Sequence, residues 1–303
     1  YHVWDNLPYP TYNKSYYESN DFVATISKVT DDIVANVSPS VNRQYIPHAV
    51  DLNIYKPLNE KQVEELRADN FKENKDKFIL FWNNRNARRK MGSSLILWFK
   101  DFLDRVGHDK AILLMHTNPR DQAGPNLEAL IEELGLNDGQ VLFSREKLQP
   151  ENLAAMYNMV DCTINISDAE GFGLGTLESL SCGTPIIVNM TGGLQEQVTD
   201  GKEWFGIGLE PTSKTIVGSQ EVPFIYEDRL SKELVVEALV EMFNKTPEER
   251  KELGLKGRAH VEKNYNFENF IKTWDEVFTR IHEKEGSWEN RNRQQNWTLE
   301  EVA

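Results

Sequence analysis

Two glutamates and a run of alternating glycines form the part of this sequence best suited to chemistry. Glu170 and Glu178 are separated by seven residues, and the segment between them begins Gly171-Phe-Gly-Leu-Gly175. Glycine lets a backbone turn sharply and approach a ligand where a Cβ would obstruct it. A carboxylate can accept hydrogen bonds from a pair of sugar hydroxyls. The alternative is structural, with Glu178 favouring a helix dipole and Glu170 solvated in a loop.

Short apolar runs on both sides predict the elements that hold this segment. Residues 162–166 and 185–188 read as buried strands, and a helix beginning near Gly175 joins them. The glycine loop therefore follows the carboxyl end of a strand and leads into a helix N-terminus, whose free N–H groups favour an anion. A second glycine turn at Gly192-Gly193 precedes a predicted helix at 194–199 and offers a similar cradle.

A cationic segment follows the predicted strand at 78–82. It reads Asn83-Asn-Arg-Asn-Ala-Arg-Arg-Lys90, in a chain whose net charge is −14. Parallel strands joined right-handedly share one edge for their carboxyl ends, so this segment is expected to face the glycine loop. Arginine offers a planar fork and lysine a point charge, which together suit a diphosphate. The alternative is a solvated basic turn.

The rest of the chain supplies a regular scaffold. Apolar runs alternate with amphipathic helices, which is typical of βαβ units in an α/β protein with a parallel sheet. The predicted strands are 78–82, 111–116 and 141–143, and the predicted helices are 92–106, 126–134, 151–159, 232–244, 247–264 and 267–283.

Composition excludes several classes of protein. A net charge of −14 argues against a nucleic-acid-binding surface. The longest apolar runs, such as 111–115, are too short to span a membrane, and no signal-peptide pattern opens the chain, so we expect a cytoplasmic protein. Cys162 and Cys182 are predicted to be buried, reduced thiols. The six histidines are dispersed without ligand spacing, so no metal site is predicted.

Together the motifs closely resemble the donor-binding signature of the retaining GT-B glycosyltransferases, specifically the group 1 enzymes of glycosyltransferase family 4. The resemblance rests on Glu-Gly-Phe-Gly at 170–173, Leu-Glu-Ser-Leu-Ser-Cys-Gly-Thr-Pro-Ile-Ile-Val at 177–188 and Thr-Gly-Gly-Leu-Gln-Glu at 191–196. It extends with lower specificity over residues 22–281. It implies a GT-B fold of the α/β class, with a Rossmann-like parallel sheet and flanking helices.

The resemblance also implies an activity, the transfer of a hexose from a nucleotide-diphospho-sugar with retention of anomeric configuration. Arg85 and Lys90 match family contacts to the donor diphosphate, where they would stabilise the charge on the leaving group. With Glu170 they form the expected catalytic group. Arg88 and Arg89 have no firm counterpart in the family.

Donor binding is assigned by the same resemblance. Glu178 is expected to bind the ribose, and Glu170 the donor sugar together with backbone groups of the loop. The complete expected donor-binding set is Glu178, Gly171, Phe172, Gly173, Leu174, Gly192 and Gly193. No Asp-x-Asp motif occurs, so neither a metal nor a cofactor is expected beyond the nucleotide-sugar co-substrate.

The resemblance further divides the chain. Residues 1–57 would be the last units of an N-terminal acceptor domain and the crossing segment, 58–77 a charged linker helix, 78–266 the donor-binding domain and 267–303 a crossing helix with a polar tail. A Rossmann-like half needs ~120 residues or more, so we expect an incomplete N-terminal domain and a truncated chain. Candidate contacts outside the donor domain are Asp5 for the cleft, Trp274 and Phe278 for the crossing helix, and Trp288 and Trp297 for docking.

The sequence leaves alternatives for one segment and for the function. Residues 203–226 depart from the commonest family pattern and predict a strand or hairpin that could either cover the donor or contact a partner. A non-catalytic nucleotide-binding module is the main alternative function. A nucleotide-sugar epimerase or a phosphorylase could share the architecture, whereas a plain interaction domain would leave the paired glutamates unexplained.

Overall fold

The structure is a computed structural model that describes residues 7–287 and 289–290. Its strands, in chain order, are β1 (Val23–Thr25), β2 (Arg43–Tyr45), β3 (Phe78–Asn83), β4 (Ala111–His116), β5 (Val141–Ser144), β6 (Cys162–Asn165), β7 (Ile186–Asn189), β8 (Gly206–Leu209), β9 (Ser213–Val217) and β10 (Ile225–Arg229). Its helices are α1 (Lys14–Glu18), α2 (Lys28–Val37), α3 (Glu60–Phe71), α4 (Gly92–Val106), α5 (Leu127–Glu133), α6 (Pro150–Asn158), α7 (Leu174–Ser181), α8 (Leu194–Val198), α9 (Lys232–Asn244), α10 (Pro247–Asn264) and α11 (Phe267–Glu285).

A six-stranded parallel sheet forms the centre, in the order β5-β4-β3-β6-β7-β8. The α/β class predicted from the sequence is therefore confirmed, and β8 extends the predicted sheet by one strand. The strand order runs outward in one direction from β3 and in the other from β6. Ligands of such sheets bind at the carboxyl ends of the strands where the order reverses, so the loops after β3 and β6 face a binding crevice.

Strand β3 is apolar along its length because helices cover both faces of the sheet. Phe78, Leu80 and Trp82 pack in one core with α4, α5 and α9. Ile79 and Phe81 point to the opposite face and pack with α3, α6, α7, α8 and α10. This two-residue alternation divides the hydrophobic core into two layers, one on each side of the sheet.

The polar segment at 59–77 forms α3, as the sequence predicts. Asn59 accepts a hydrogen bond from the N–H of Gln62, and the Gln62 side chain accepts one from the N–H of Asn59, which completes a capping box. The helix ends at Phe71, which is buried under the sheet.

The N-terminal part is small and packs on the last helix. Strands β1 and β2 pair in parallel, and Ala24 and Ile46 share a core with Val277 of α11. Trp274 packs against that core as predicted, but Phe278 is 62% exposed and stacks on Trp274 at 5.1 Å between ring centroids. The prediction for Phe278 is wrong because the buried stripe follows positions three and four apart, and Val277 occupies its centre.

The segment 203–226, which departs from the commonest family pattern, contains strands, as predicted. Its first strand, β8, pairs with β7 at the edge of the main sheet. Strands β9 and β10 then form an antiparallel hairpin that stands apart from the main sheet.

Other sequence predictions concern single residues. Cys162 and Cys182 are free and buried, and burial raises the pKa of both thiols. Among the described residues, no helix has both the length and the apolar character that crossing a bilayer requires. Asp5, Trp288 and Trp297 lie outside the described residues.

Candidate functional site

Two adjoining cavities open at the carboxyl edge of the sheet, beside the ends of β3 and β6. The larger has a volume of about 550 Å³ and the smaller about 70 Å³. Both are lined by Glu170, Gly173 and Leu174. The larger cavity is also lined by Ile26, His48, Arg89, Ala169, Gly171, Phe172, Thr191, Gly192, Ile225, Tyr226 and Glu227, and the smaller by Asn83, Asn84, Lys90, Thr163, Ile164, Asn165, Gly175 and Thr176.

The glycine loop reaches this position because two glycine turns pack directly on each other. Gly192 has φ +51°, and a Cβ there would lie 1.6 Å from the carbonyl oxygen of Glu170. The N–H of Gly193 donates to the carbonyl of Gly171 at 3.2 Å, and a Cβ on Gly193 would lie 2.7 Å from the Cα of Phe172. Both glycines therefore serve close backbone packing, and Gly192 also lines the larger cavity.

The loop exposes backbone and buries its aromatic side chain. Phe172 is buried, with its ring 5.3 Å from that of His48 and 5.9 Å from that of Tyr265. Gln197 holds the Phe172 carbonyl through a hydrogen bond of 2.8 Å. Gly173 adopts φ +91° immediately before α7, so the chain turns from the cavity wall into the helix N-terminus. Packing and this hydrogen bond thus hold the backbone of 171–174 at the cavity wall.

Glu170 and Lys90 form an ion pair where the two cavities meet. Asn165 lies 3.5 Å from the same carboxylate, and the guanidinium of Arg89 lies 3.9 Å from it. Burial lowers the pKa of Lys90, and the negative charge of Glu170 partly opposes that effect. The sequence predicted that the segments carrying these two residues would face one crevice, although 80 positions separate the residues.

Arg85, in contrast, does not line either cavity. Its side chain is 69% exposed, and its Nε and Nη2 donate to the two carboxylate oxygens of Asp121 at 2.8 and 3.1 Å. The hydrogen bond from Arg85 lowers the pKa of Asp121 to about 2. Arg89 lines the larger cavity instead and donates to the carbonyl of Ala169 at 2.7 Å. In the sequence, only the adjacency of Arg89 to Lys90 indicated that Arg89 would lie at this site.

Glu178 adjoins the smaller cavity through a chain of hydrogen bonds. Asn83, which lines that cavity, donates to the hydroxyl of Tyr157 at 2.7 Å, and this hydroxyl donates to Glu178 at 2.9 Å. Burial raises the pKa of Glu178 to about 7, while hydrogen bonds from Tyr157 and Tyr55 partly counteract the rise. Glu178 itself does not line either cavity. A carboxyl with a perturbed pKa beside a cleft is a candidate for ligand binding.

Several lining residues were not predicted from the sequence. Asn83 ends β3 inside the predicted cationic segment, but its link to Tyr157 depends on how α6 packs. His48 comes from the N-terminal part, and burial lowers its pKa. Tyr226 and Glu227 come from β10 and carry no local signal that would direct them to this site.

The glycine loop and the ion pair occur in a chain with clear relatives. A sequence profile described as "Glycosyl transferases group 1" matches residues 62–217, more than half of the chain. A D-inositol 3-phosphate glycosyltransferase from Paenarthrobacter aurescens strain TC1 is 27% identical over 185 residues, covering 59% of this chain and 43% of that protein. Another from Acidothermus cellulolyticus is 41% identical over 76 residues, covering 25% of this chain and 16% of its own length.

Solved structures show the same architecture. Sucrose-phosphate synthase from Thermosynechococcus elongatus superposes with a TM-score of 0.72 at 22% identity, over 90% of this chain and 61% of that chain. Anabaena Alr3699/HepE in complex with UDP and glucose superposes with a TM-score of 0.68 at 15% identity, over 89% of this chain and 67% of that chain. These likenesses show the fold, which is the GT-B type expected from the sequence.

The extent of the match has two consequences. The chain spans 43% of the length of the Paenarthrobacter relative, so what the whole of that protein does is not carried over directly. The profile match nevertheless covers α3 through β9, including the cationic segment and both glycine turns. By this match, the chain belongs to the group 1 glycosyl transferase family.

Proposed function

We propose that this chain supplies the donor-binding half of a glycosyltransferase that transfers a hexose from a nucleotide-diphospho-sugar with retention of configuration. The observation that carries the proposal is the Glu170–Lys90 ion pair at the junction of the two cavities. It puts a cation for phosphate and a carboxylate for sugar hydroxyls side by side. The glycine loop beside them leaves its backbone open to the same space.

The donor would lie across both cavities. Lys90 and Arg89 would bind the diphosphate, because both flank Glu170 and Arg89 lines the larger cavity. The sugar would contact Glu170 and the backbone of 171–173, and the ribose would reach Glu178 beside the smaller cavity. Arg85 would join the diphosphate only after leaving Asp121, since that carboxylate now occupies its guanidinium.

The ion pair supports a simple exchange on donor binding. A diphosphate entering the site would take Lys90 from Glu170, which frees the carboxylate to accept hydrogen bonds from sugar hydroxyls. Lys90 is buried, so its charge acts with little screening on the negative charge that develops on the departing diphosphate. This scheme uses no divalent cation, in keeping with the absence of an Asp-x-Asp motif from the sequence.

The proposal also covers the nucleotide, the acceptor and the cellular location. UDP is the first nucleotide to test, because a structural neighbour has been solved with UDP and glucose. The acceptor is left open, since the chain spans less than half of the inositol-phosphate relatives. A cytoplasmic location belongs to the same proposal and rests on the sequence pattern.

Titration calorimetry with UDP, GDP and ADP tests the donor site. We expect one nucleotide to bind and Lys90→Gln to weaken its binding by about 1–3 kcal/mol, the scale of a lost hydrogen bond to a charged group. Glu178→Ala should weaken it by a similar amount. Arg120→Ala is the matched control, because Arg120 is an exposed arginine paired with Glu128 that does not line either cavity.

Two outcomes would count against the proposal. If no nucleotide binds while circular dichroism and thermal unfolding show a folded protein, the donor site is wrong. If a nucleotide-sugar binds but neither transfer nor slow hydrolysis to the nucleotide is detected, a non-catalytic binding module describes the chain better.

A further inference from the structure

The hairpin of β9 and β10 forms one wall of the larger cavity. Ile225, Tyr226 and Glu227 of β10 line it, together with Glu170 and the glycine loop. The hairpin lies outside the main sheet and belongs largely to the stretch where this sequence departs from the commonest family pattern. A side chain on this wall can contact whatever ligand the cavity holds.

Buried charges attach the hairpin to the loops that carry the site. Glu227 and Asp228 are only 2% and 3% exposed. Arg88, from the cationic segment, donates to Glu227 at 3.0 Å, while Arg229 pairs with Asp168 at 2.7 Å. The N–H of Asp228 also donates to the carbonyl of Asp168 at 2.7 Å. Asp168 lies two positions before Glu170, so the hairpin is tied to both sides of the candidate site.

The carboxylates of these pairs are buried, whereas the Arg88 and Arg229 side chains are 56% and 28% exposed. Removing charges from water is expensive, and a buried ion pair often stabilises a fold less than apolar residues of similar volume. Its geometric effect is definite, since each pair is directional and the hairpin has a single register, with Tyr226 opposite Ile216. The ionic contacts therefore set where Tyr226 stands relative to Glu170 and Lys90.

Tyr226 presents a surface suited to a sugar. Its ring is half-buried and contacts Phe224 edge-on at 5.6 Å, and Phe224 in turn contacts Tyr12 of the N-terminal part at 4.9 Å. Its hydroxyl makes no hydrogen bond to the described residues. An aromatic face packs well on the C–H groups of a sugar ring, and a phenolic hydroxyl can both donate to and accept from sugar hydroxyls.

We propose that Tyr226 is a specificity-determining residue for the hexose of the donor, with its ring packed on the sugar and its hydroxyl bonded to a sugar hydroxyl. This inference rests on the proposed function above. The donor sugar is favoured over an acceptor because Tyr226 shares its cavity with Glu170, and because Arg88 joins the neighbouring Glu227 to the segment that ends at Lys90. Those contacts keep the hairpin beside the bond that would break.

The test compares binding of a nucleotide with binding of its sugar conjugates. The nucleoside diphosphate that binds tightest among UDP, GDP and ADP is titrated into the full chain, followed by its glucose, galactose and mannose conjugates. Tyr226→Ala and Tyr226→Phe are compared with Ile216→Ala. Ile216 is the matched control, since it faces Tyr226 across the hairpin register but is 67% exposed and does not line the cavity.

We expect Tyr226→Ala to weaken the preferred sugar conjugate about tenfold and to leave the free nucleotide within about twofold of wild type. Tyr226→Phe should retain part of that affinity but discriminate less among the three hexoses, and Ile216→Ala should change neither. Equal loss for nucleotide and conjugate, or no loss for either, would overturn the role of Tyr226 while the donor site stands. Loss of transfer with unchanged donor binding would assign Tyr226 to the acceptor and also overturn it. Failure of wild type to bind any nucleotide would remove the proposed function and this inference with it.

Discussion

Replacing Glu178 with glutamine is expected to stabilise the folded protein at alkaline pH and to have much less effect in acid. Burial raises the pKa of this carboxyl from 4.5 to about 7. The folded protein therefore holds a proton that the unfolded chain releases. Glutamine keeps an oxygen that can accept the hydrogen bond from Tyr157, which now donates to Glu178 at 2.9 Å. The substitution thus removes the titration and preserves the local contact.

The magnitude follows from the two pKa values. Because the folded pKa lies above the unfolded one, the contribution of Glu178 to stability is fully present below pH 4.5 and is lost as the pH rises through about 7. Linkage between those values removes about 2–3 kcal/mol from the free energy of unfolding between pH 5 and pH 8. Glu178→Gln has no such loss, so the stability difference between variant and wild type should shift by that amount in favour of the variant.

Urea unfolding followed by tryptophan fluorescence measures this difference. Trp82 is fully buried in the core and reports global unfolding. Wild type, Glu178→Gln and Glu210→Gln are compared at pH 5, 6, 7 and 8. Glu210 is exposed, so its substitution controls for the removal of one negative charge from an acidic protein. Asp168, whose pKa burial also raises to about 7, titrates in all three proteins and cancels from the comparison.

A stability difference that is the same at pH 5 and pH 8 would refute the reasoning, since it would mean that Glu178 titrates alike in the folded and unfolded chains. A shift of equal size in Glu210→Gln would assign the effect to overall charge. Either result would also weaken the proposal that Glu178 binds a ligand and that its burial lowers the stability of the folded protein.

Three further predictions follow from the same geometry. Nucleotide affinity should rise about tenfold from pH 6 to pH 8 as Glu178 ionises, and calorimetry in two buffers should detect proton release at pH 6 that is absent from Glu178→Gln. Gly192→Ala should lower stability by about 3 kcal/mol or more in thermal unfolding, because its Cβ would meet a main-chain oxygen at 1.6 Å at φ +51°. Gly135→Ala is the control, since Gly135 has φ +67° with open space around it, and this substitution should cost about 1 kcal/mol. Equal losses of stability in the two variants would contradict the clash at Gly192. Tyr45→Phe should cost about 1–3 kcal/mol in urea unfolding because it removes a hydrogen bond to the buried carboxylate of Glu196, and an unchanged midpoint would show that this bond contributes nothing.

The elements of the donor domain could be predicted because their signals are local. The helix predicted at 92–106 and the strand predicted at 111–116 have those bounds in the structure. The apolar run at 78–82 predicted a strand, and the glycines at 171 and 173 predicted a loop without side-chain bulk. Parallel connection then brought Lys90 and Glu170 to the same edge, which a topological rule can predict without knowing any contact.

The predictions for N-terminal and inserted segments were coarser. The sequence indicated strands within 203–226, but it did not indicate that β10 would fold back beside Asp168 and wall the cavity. Nor did the sequence indicate that Phe278, next to the buried Val277, would be exposed. Such choices depend on which surface a neighbouring segment brings, and that segment is distant in sequence.

The sequence by itself therefore determined the sheet, its order of elements and the loops that face the crevice, because hydrophobic period, glycine placement and handedness act over short stretches of chain. Only the tertiary structure decided the partner of each charged side chain. Arg85 pairs with Asp121, Arg89 reaches the cavity and Arg88 binds the hairpin, although the three lie within five positions of one another. Long cationic side chains can reach in many directions, and their partners are chosen by the charges that folding brings within a few ångströms.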